Sequence, residues 1–130
     1  MSSAAAVRPP IAGNMLSRTL VAATLKPIAL SVLRDGETYG YRIIDRIRKI
    51  SDGKIQVETG TLYPFLHRLE ADGLVQSKWK DVPNAPRRKY YSLTRKGRKA
   101  LDRERREWME ANAIMTGLWG AGGVLSTVDS

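Results

Sequence analysis

Few side chains in this sequence could carry bond-making chemistry. There is one histidine, His67, and no cysteine. Thiolate nucleophiles, disulfides, Cys-based zinc sites and His-pair metal motifs are therefore excluded. No carboxylate pair occupies a recognisable pocket, which leaves no catalytic set and argues against an enzyme. The chemistry that stands out is ionic. Residues 76–99 carry nine Lys and Arg against Asp81 alone, a net +8 within a total of +9. A solvated surface normally mixes signs, whereas nine of these ten charges agree. A polyanion is the matching partner, either nucleic acid or an anionic membrane surface.

The elements that must position these charges can be read from periodicity. The 130 residues fit one domain of the usual ~100–200. Three Asp-Gly steps, at 35–36, 52–53 and 72–73, each follow a stretch of helical period, as expected of a left-handed C-terminal cap on glycine. In the first stretch Leu25, Ile28, Ala29, Val32 and Leu33 share a face. Pro27 places the start of that helix near Thr24, with Met15–Ala23 a separate short helix or a kinked extension. The second runs from Thr38 as N-cap, with Tyr39, Ile43, Ile44, Ile47 and Ile50 as its buried stripe. The third starts at Thr59 or Thr61 and buries Leu62, Phe65, Leu66 and Leu69, with Pro64 in or just after its first turn.

After Gly73 the period changes. Leu74–Lys80 and Lys89–Thr94 read as two strands, with Trp79 packing into the core. The segment between them, DVPNAPRR, contains Pro83 and Pro86 and is expected to be an exposed loop without ladder pairing. Thr94 then caps a long helix from Arg95 to about Leu118, on which Leu101, Trp108 and Met115 recur every seven residues, each followed three residues on by Glu104, Ala111 and Leu118. The domain left to cover that stripe is small, which points to a second copy of the chain.

Three helices followed by a basic hairpin describe a mainly α winged helix-turn-helix with a small β-hairpin and a C-terminal dimerisation helix. Expected boundaries are a flexible tail over 1–14, the DNA-binding unit over 15–94, the dimerisation helix over 95–119 and a second tail over 120–130. The acid-free N-terminus also fits an organellar transit peptide, but we read it as the tail. The longest apolar stretch, Leu20–Leu33, is broken by Lys26 and Pro27, short of the ~20 residues a span needs, so no membrane partner is expected and the protein reads as cytoplasmic.

A major groove ~12 Å wide admits the third helix, while the hairpin reaches flanking phosphates. With its apolar side inward, that helix presents Gly60, Pro64, His67 and Arg68, flanked by Thr61 and Tyr63. His67 has two readings, DNA contact or an inert surface group; Arg68 contacts DNA or pairs with Asp72 one turn on. Lys80, Arg87, Arg88 and Lys89 form the expected phosphate clamp. Four neutralised phosphates per subunit would give a dimer a log–log salt slope near −7.

The sequence resembles the PadR-like transcriptional regulators of bacteria. The resemblance rests on Tyr39-Gly40-Tyr41 with Ile43-Ile44, the run Gly60-Thr61-Leu62-Tyr63-Pro64, and Arg68-Leu69-Glu70 leading to Asp72-Gly73-Leu74. Arg87-Arg88-Lys89-Tyr90-Tyr91, Leu93-Thr94 and Gly97 complete it. It covers about residues 25–100, and the single C-terminal helix is similar to the shorter subfamily. It implies a homodimeric repressor on a pseudo-palindromic operator of double-stranded DNA, with Thr61–Asp72 as recognition helix and Tyr39 and Tyr41 near the DNA backbone. It also implies that Trp108 either stacks on a flat hydrophobic effector between subunits, with Ile114 and Met115 nearby, or is a plain interface residue. No cofactor is implied. The competing reading is an architectural winged helix that binds nucleic acid without reading sequence.

Overall fold

The computed structural model describes residues 15–120. Both expected tails, apart from Gly120, lie outside the described residues. The chain forms α1 (Arg18–Arg34), β1 (Thr38–Tyr39), α2 (Gly40–Ile50), α3 (Thr59–Ala71), β2 (Val75–Val82), β3 (Ala85–Leu93) and α4 (Arg95–Trp119). The three strands make one antiparallel sheet in the order β1-β3-β2. This is a winged helix-turn-helix followed by a long C-terminal helix.

Helix α1 is continuous, which corrects the expected start near Thr24. Ser17 caps it, its hydroxyl accepting the Leu20 N–H at 3.2 Å, and Pro27 lies well inside. A proline there removes one ladder hydrogen bond. The helix tolerates it because buried residues on both sides, Leu25 before and Ala29, Leu30, Val32 and Leu33 after, anchor the two halves to one core.

Thr38 is not the N-cap of α2. It pairs with Tyr91 as part of β1, while Tyr39 takes the cap position without any side-chain cap bond. Sheet pairing captures residues that the local pattern assigned to a helix start. Ile43 and Ile47 are buried as expected, but Ile50 is 71% exposed because α2 ends there and its last turn overhangs the core. The left-handed residue following α2 is Asp52 (φ +57°) rather than Gly53 alone, and the Gly53 N–H closes the cap on the Arg48 carbonyl at 2.8 Å. At the end of α3 the expected glycine cap holds. Gly73 has φ +78°; its N–H meets the Glu70 carbonyl and the Leu74 N–H meets Leu69, both at 2.9 Å.

The hairpin strands run further than the prolines suggested. Val82 pairs with Ala85 across a two-residue turn, Pro83-Asn84, in which Asn84 takes φ +57°. Pro86 is accommodated by an irregularity. Between the Lys80–Arg88 and Val82–Ala85 pairs, β2 contributes one residue and β3 two, a bulge in which a proline costs no ladder bond.

The core joins all four helices to the sheet, with Leu30, Leu33, Ile43, Leu62, Leu66, Val75 and Tyr91 fully enclosed. Helix α4 adds Ala100 and Leu101. Its cap, Thr94, accepts the Gly97 N–H at 3.0 Å and donates to the Gly73 carbonyl at 2.6 Å, tying the wing base to the end of α3.

Candidate nucleic-acid interface

Burial of Leu62, Leu66 and Leu69 turns the opposite side of α3 to solvent, and Gly60, Thr61, Pro64, His67 and Arg68 are all exposed there. Glu58 takes the N-cap position without a side-chain bond, so no side chain caps the first turn of the helix. Among the described residues Arg68 makes no ion pair with Asp72; its guanidinium lies over the Phe65 ring, 5.5 Å from the centroid. Tyr63 is less available than the helical wheel suggested. Its half-buried ring fills the space beside Gly40, where any Cβ would collide with three of its atoms. Burial, then the neighbouring Tyr41, raises the Tyr63 phenol above its ordinary value. Tyr41 itself is exposed and Tyr39 is half-buried.

The four wing cations are brought onto one hairpin but not onto one face. Successive strand residues point to opposite sides. One face carries Lys78, Lys80, Tyr90 and Arg88 beside β1. There the Lys80 ammonium pairs with Glu37 and lies 4.9 Å from the Tyr90 ring, and Lys78 reaches Glu37 at 4.0 Å. Arg88 sits 4.4 Å from the ring of Tyr39, which meets Tyr90 edge-on at 5.4 Å. The other face carries Lys89 and Arg87, where Arg87 contacts Asp81 at 3.4 Å. Asp81 is almost fully exposed, so that pair is weak.

Trp79 also lies on this second face and is not a core residue. The strand register places it on the same side as the core residue Val75, but it lies further out along the hairpin and is 55% exposed. Sequence reading also missed β1 and Glu37. A two-residue strand has no period to detect, and nothing local connects Glu37 to a lysine 43 residues away.

The model of the PadR-like family of transcriptional regulators matches residues 29–103, from the middle of α1 through the wing into α4. The chain belongs to this family. The PadR-like chain is 43% identical over 72 residues to the transcriptional regulator Rv3488 of Mycobacterium tuberculosis, covering 55% of this chain and 64% of that one. Among solved structures, a transcriptional regulator from Clostridium thermocellum superposes with a TM-score of 0.72 at 29% identity, covering 79% of this chain and 97% of the other. A PadR family regulator from Eggerthella lenta superposes at 0.67 with 32% identity, covering 78% and 87%. The protein is thus a transcriptional regulator of a DNA-binding family. No helix among the described residues is long and apolar enough to cross a membrane.

The long helix of this PadR-like chain divides at its middle. Leu101, expected at an interface, is 2% exposed and belongs to the core of its own chain, because the first turns of α4 pack against α1 and the base of the wing. Further along, Trp108, Ala111 and Met115 are half-buried, while Met109, Ile114, Leu118 and Trp119 are exposed. Leu118, at 79%, is the most open of these.

The split wing makes a measurable distinction between lysines. Lys89→Ala removes a cation with no carboxylate partner among the described ion pairs, and is expected to lower the steepness of the salt dependence of DNA binding by about one unit. Lys80→Ala removes a charge that Glu37 already offsets, so its slope is expected to stay closer to that of the unaltered protein. Titrations of a labelled duplex at several salt concentrations separate the two.

Proposed function

We propose that the protein is a homodimeric PadR-type repressor that binds a pseudo-palindromic operator in double-stranded DNA and is released by a planar hydrophobic effector. The carrying observation is one chain that combines a recognition helix with an open polar face and a terminal helix with an exposed apolar one. In this reading Gly60, Thr61, Pro64, His67 and Arg68 face the major groove, with Tyr39, Tyr41 and Tyr63 at its edge. Lys80, Arg87, Arg88 and Lys89 meet phosphates, which position the protein without reading sequence.

Dimerisation is supported by two apolar sets that the described residues leave exposed. Ile114, Leu118 and Trp119 end α4, and Met15, Leu16 and Leu20 lie at the start of α1. Packing these sets between copies, with Trp108, Ala111 and Met115 at the edge, covers apolar surface that a monomer leaves in water. The recognition helices of a dimer must stand ~34 Å apart to enter successive major grooves. A flat effector stacked on Trp108 would alter that spacing and shift the population away from the DNA-binding form.

The test is a mobility-shift assay on duplex DNA from beside the protein's own gene, in excess competitor at physiological salt. Specific retention is the expected result; uniform loss to competitor would assign the protein to architectural binding. For the effector, planar aromatics are expected to quench tryptophan fluorescence in the unaltered protein. Full persistence of that quenching in Trp108→Ala would remove the pocket from the proposal.

A further inference from the structure

Trp79 is the one large aromatic ring on the wing that the fold leaves open, and its surroundings say what it is open to. On β2, Val75, Ser77 and Trp79 share a face, and their partners on β3 are Leu93, Tyr91 and Lys89. The first pair is buried, and Tyr91 in the second is fully enclosed. At that second level α3 still covers the sheet, since the Ser77 hydroxyl donates to the Glu70 carboxylate at 2.7 Å. One level further out Trp79 stands in solvent, with the half-buried Lys89 beside it, on the side of the wing where the recognition helix lies.

The ring is flanked by positive charge. The Arg87 guanidinium lies 5.8 Å from its centroid and the Lys89 ammonium 6.0 Å. The opposite face of the hairpin differs, because Glu37 occupies Lys78 and Lys80 there and Tyr39 occupies Arg88. Among the described residues two acids lie toward the Trp79 face, Glu70 held by Ser77 one level nearer the core and the exposed Asp81 on Arg87. An open apolar ring beside two cations complements a surface that alternates anionic and apolar groups at short range. The edge of a DNA groove is such a surface, with phosphates separated by deoxyribose rings.

We propose that Trp79 is a DNA-contacting residue that packs its indole against deoxyribose at the groove edge, while Lys89 and Arg87 take the adjacent phosphates. The wing therefore grips DNA with its Trp79 face, and the Glu37 face stiffens the hairpin. This rests on the DNA-binding reading above. An indole binds here through area and shape, so its loss weakens binding without releasing fewer ions.

The experiment compares the unaltered protein with Trp79→Ala, Trp79→Phe and Lys89→Ala, titrated against a labelled duplex from upstream of its own gene at several salt concentrations, with melting temperatures in parallel. For Trp79→Ala we expect about tenfold weaker binding, the equivalent of one aromatic contact, with unchanged salt slope and melting temperature. Trp79→Phe is expected to recover most of the affinity, and Lys89→Ala to flatten the slope. Unaltered affinity in Trp79→Ala overturns the proposal and assigns the patch to a partner other than DNA. A lower melting temperature with parallel loss of binding overturns it in favour of a packing role. If the unaltered protein binds no duplex, the DNA-binding reading itself fails, a result distinct from both.

Discussion

Replacing Gly97 by alanine is expected to cost the fold about 3–5 kcal/mol, enough to leave a domain of ordinary stability barely folded. The reason is a close approach between two backbones. Gly97 sits in the first turn of α4, and a Cβ there would overlap the Leu74 carbonyl oxygen, stand 2.9 Å from its carbon and 3.2 Å from Leu93 Cδ2. The carbonyl cannot retreat easily. It accepts the Thr94 N–H at 3.1 Å, and the Leu74 N–H is bonded to Leu69 across the cap of α3. The neighbouring Gly73 carbonyl is held by the Thr94 hydroxyl. Relief therefore requires lifting α4, which would also withdraw Ala100 and Leu101 from the core. Gly117→Ala is the matched control. Nothing lies within 4 Å of its Cβ position, and alanine is favoured over glycine in a helix, by at most about 0.8–1 kcal/mol for this last-turn position. Thermal melting of the two variants should move in opposite directions. An unshifted melting temperature in Gly97→Ala would mean that α4 does not dock as described.

The second large effect is expected from Leu118→Glu, and it should appear in assembly and DNA affinity rather than in the fold. Leu118 is exposed in the single chain, so a glutamate there disturbs no intrachain packing. In the proposed dimer it places a charge within an apolar contact. Sedimentation is expected to report a monomer with an intact helical spectrum. Affinity for the operator should fall by about 10²–10⁴, because two linked half-sites bind with an advantage of that order over one. A variant that remains dimeric would move the interface away from the end of α4. Leu101→Ala is the informative contrast. That side chain is enclosed in its own chain, and its truncation is expected to cost about 2–5 kcal/mol of folding stability with or without a partner.

Leu101 and Leu118 also show where sequence reading stops. Both belong to one stripe on the helical wheel, and periodicity cannot tell which end of a 25-residue helix lies over the domain. Only the docking of its first turns on α1 and the wing base, permitted by Gly97, makes one a core residue and the other a surface residue. Trp79 fails for a related reason: a strand pattern does not reveal how far out along the hairpin a residue lies from the core.

What the sequence by itself determined is therefore the local and the compositional. Helix periods, the Thr94 oxygen that caps α4, the glycine that closes α3, the concentration of charge at residues 76–99 and the motifs of the PadR-like family could all be read before any coordinate. Each depends on residues within a turn or two of one another, or on none in particular. Tertiary structure alone decided that Thr38 joins a sheet, that Pro27 sits inside an unbroken helix, and that Glu37 holds two wing lysines. It also decided that the four cations of the clamp divide between two faces. These outcomes turn on contacts between residues far apart in the chain, whose energies outweigh local preference and leave no periodic trace in the sequence.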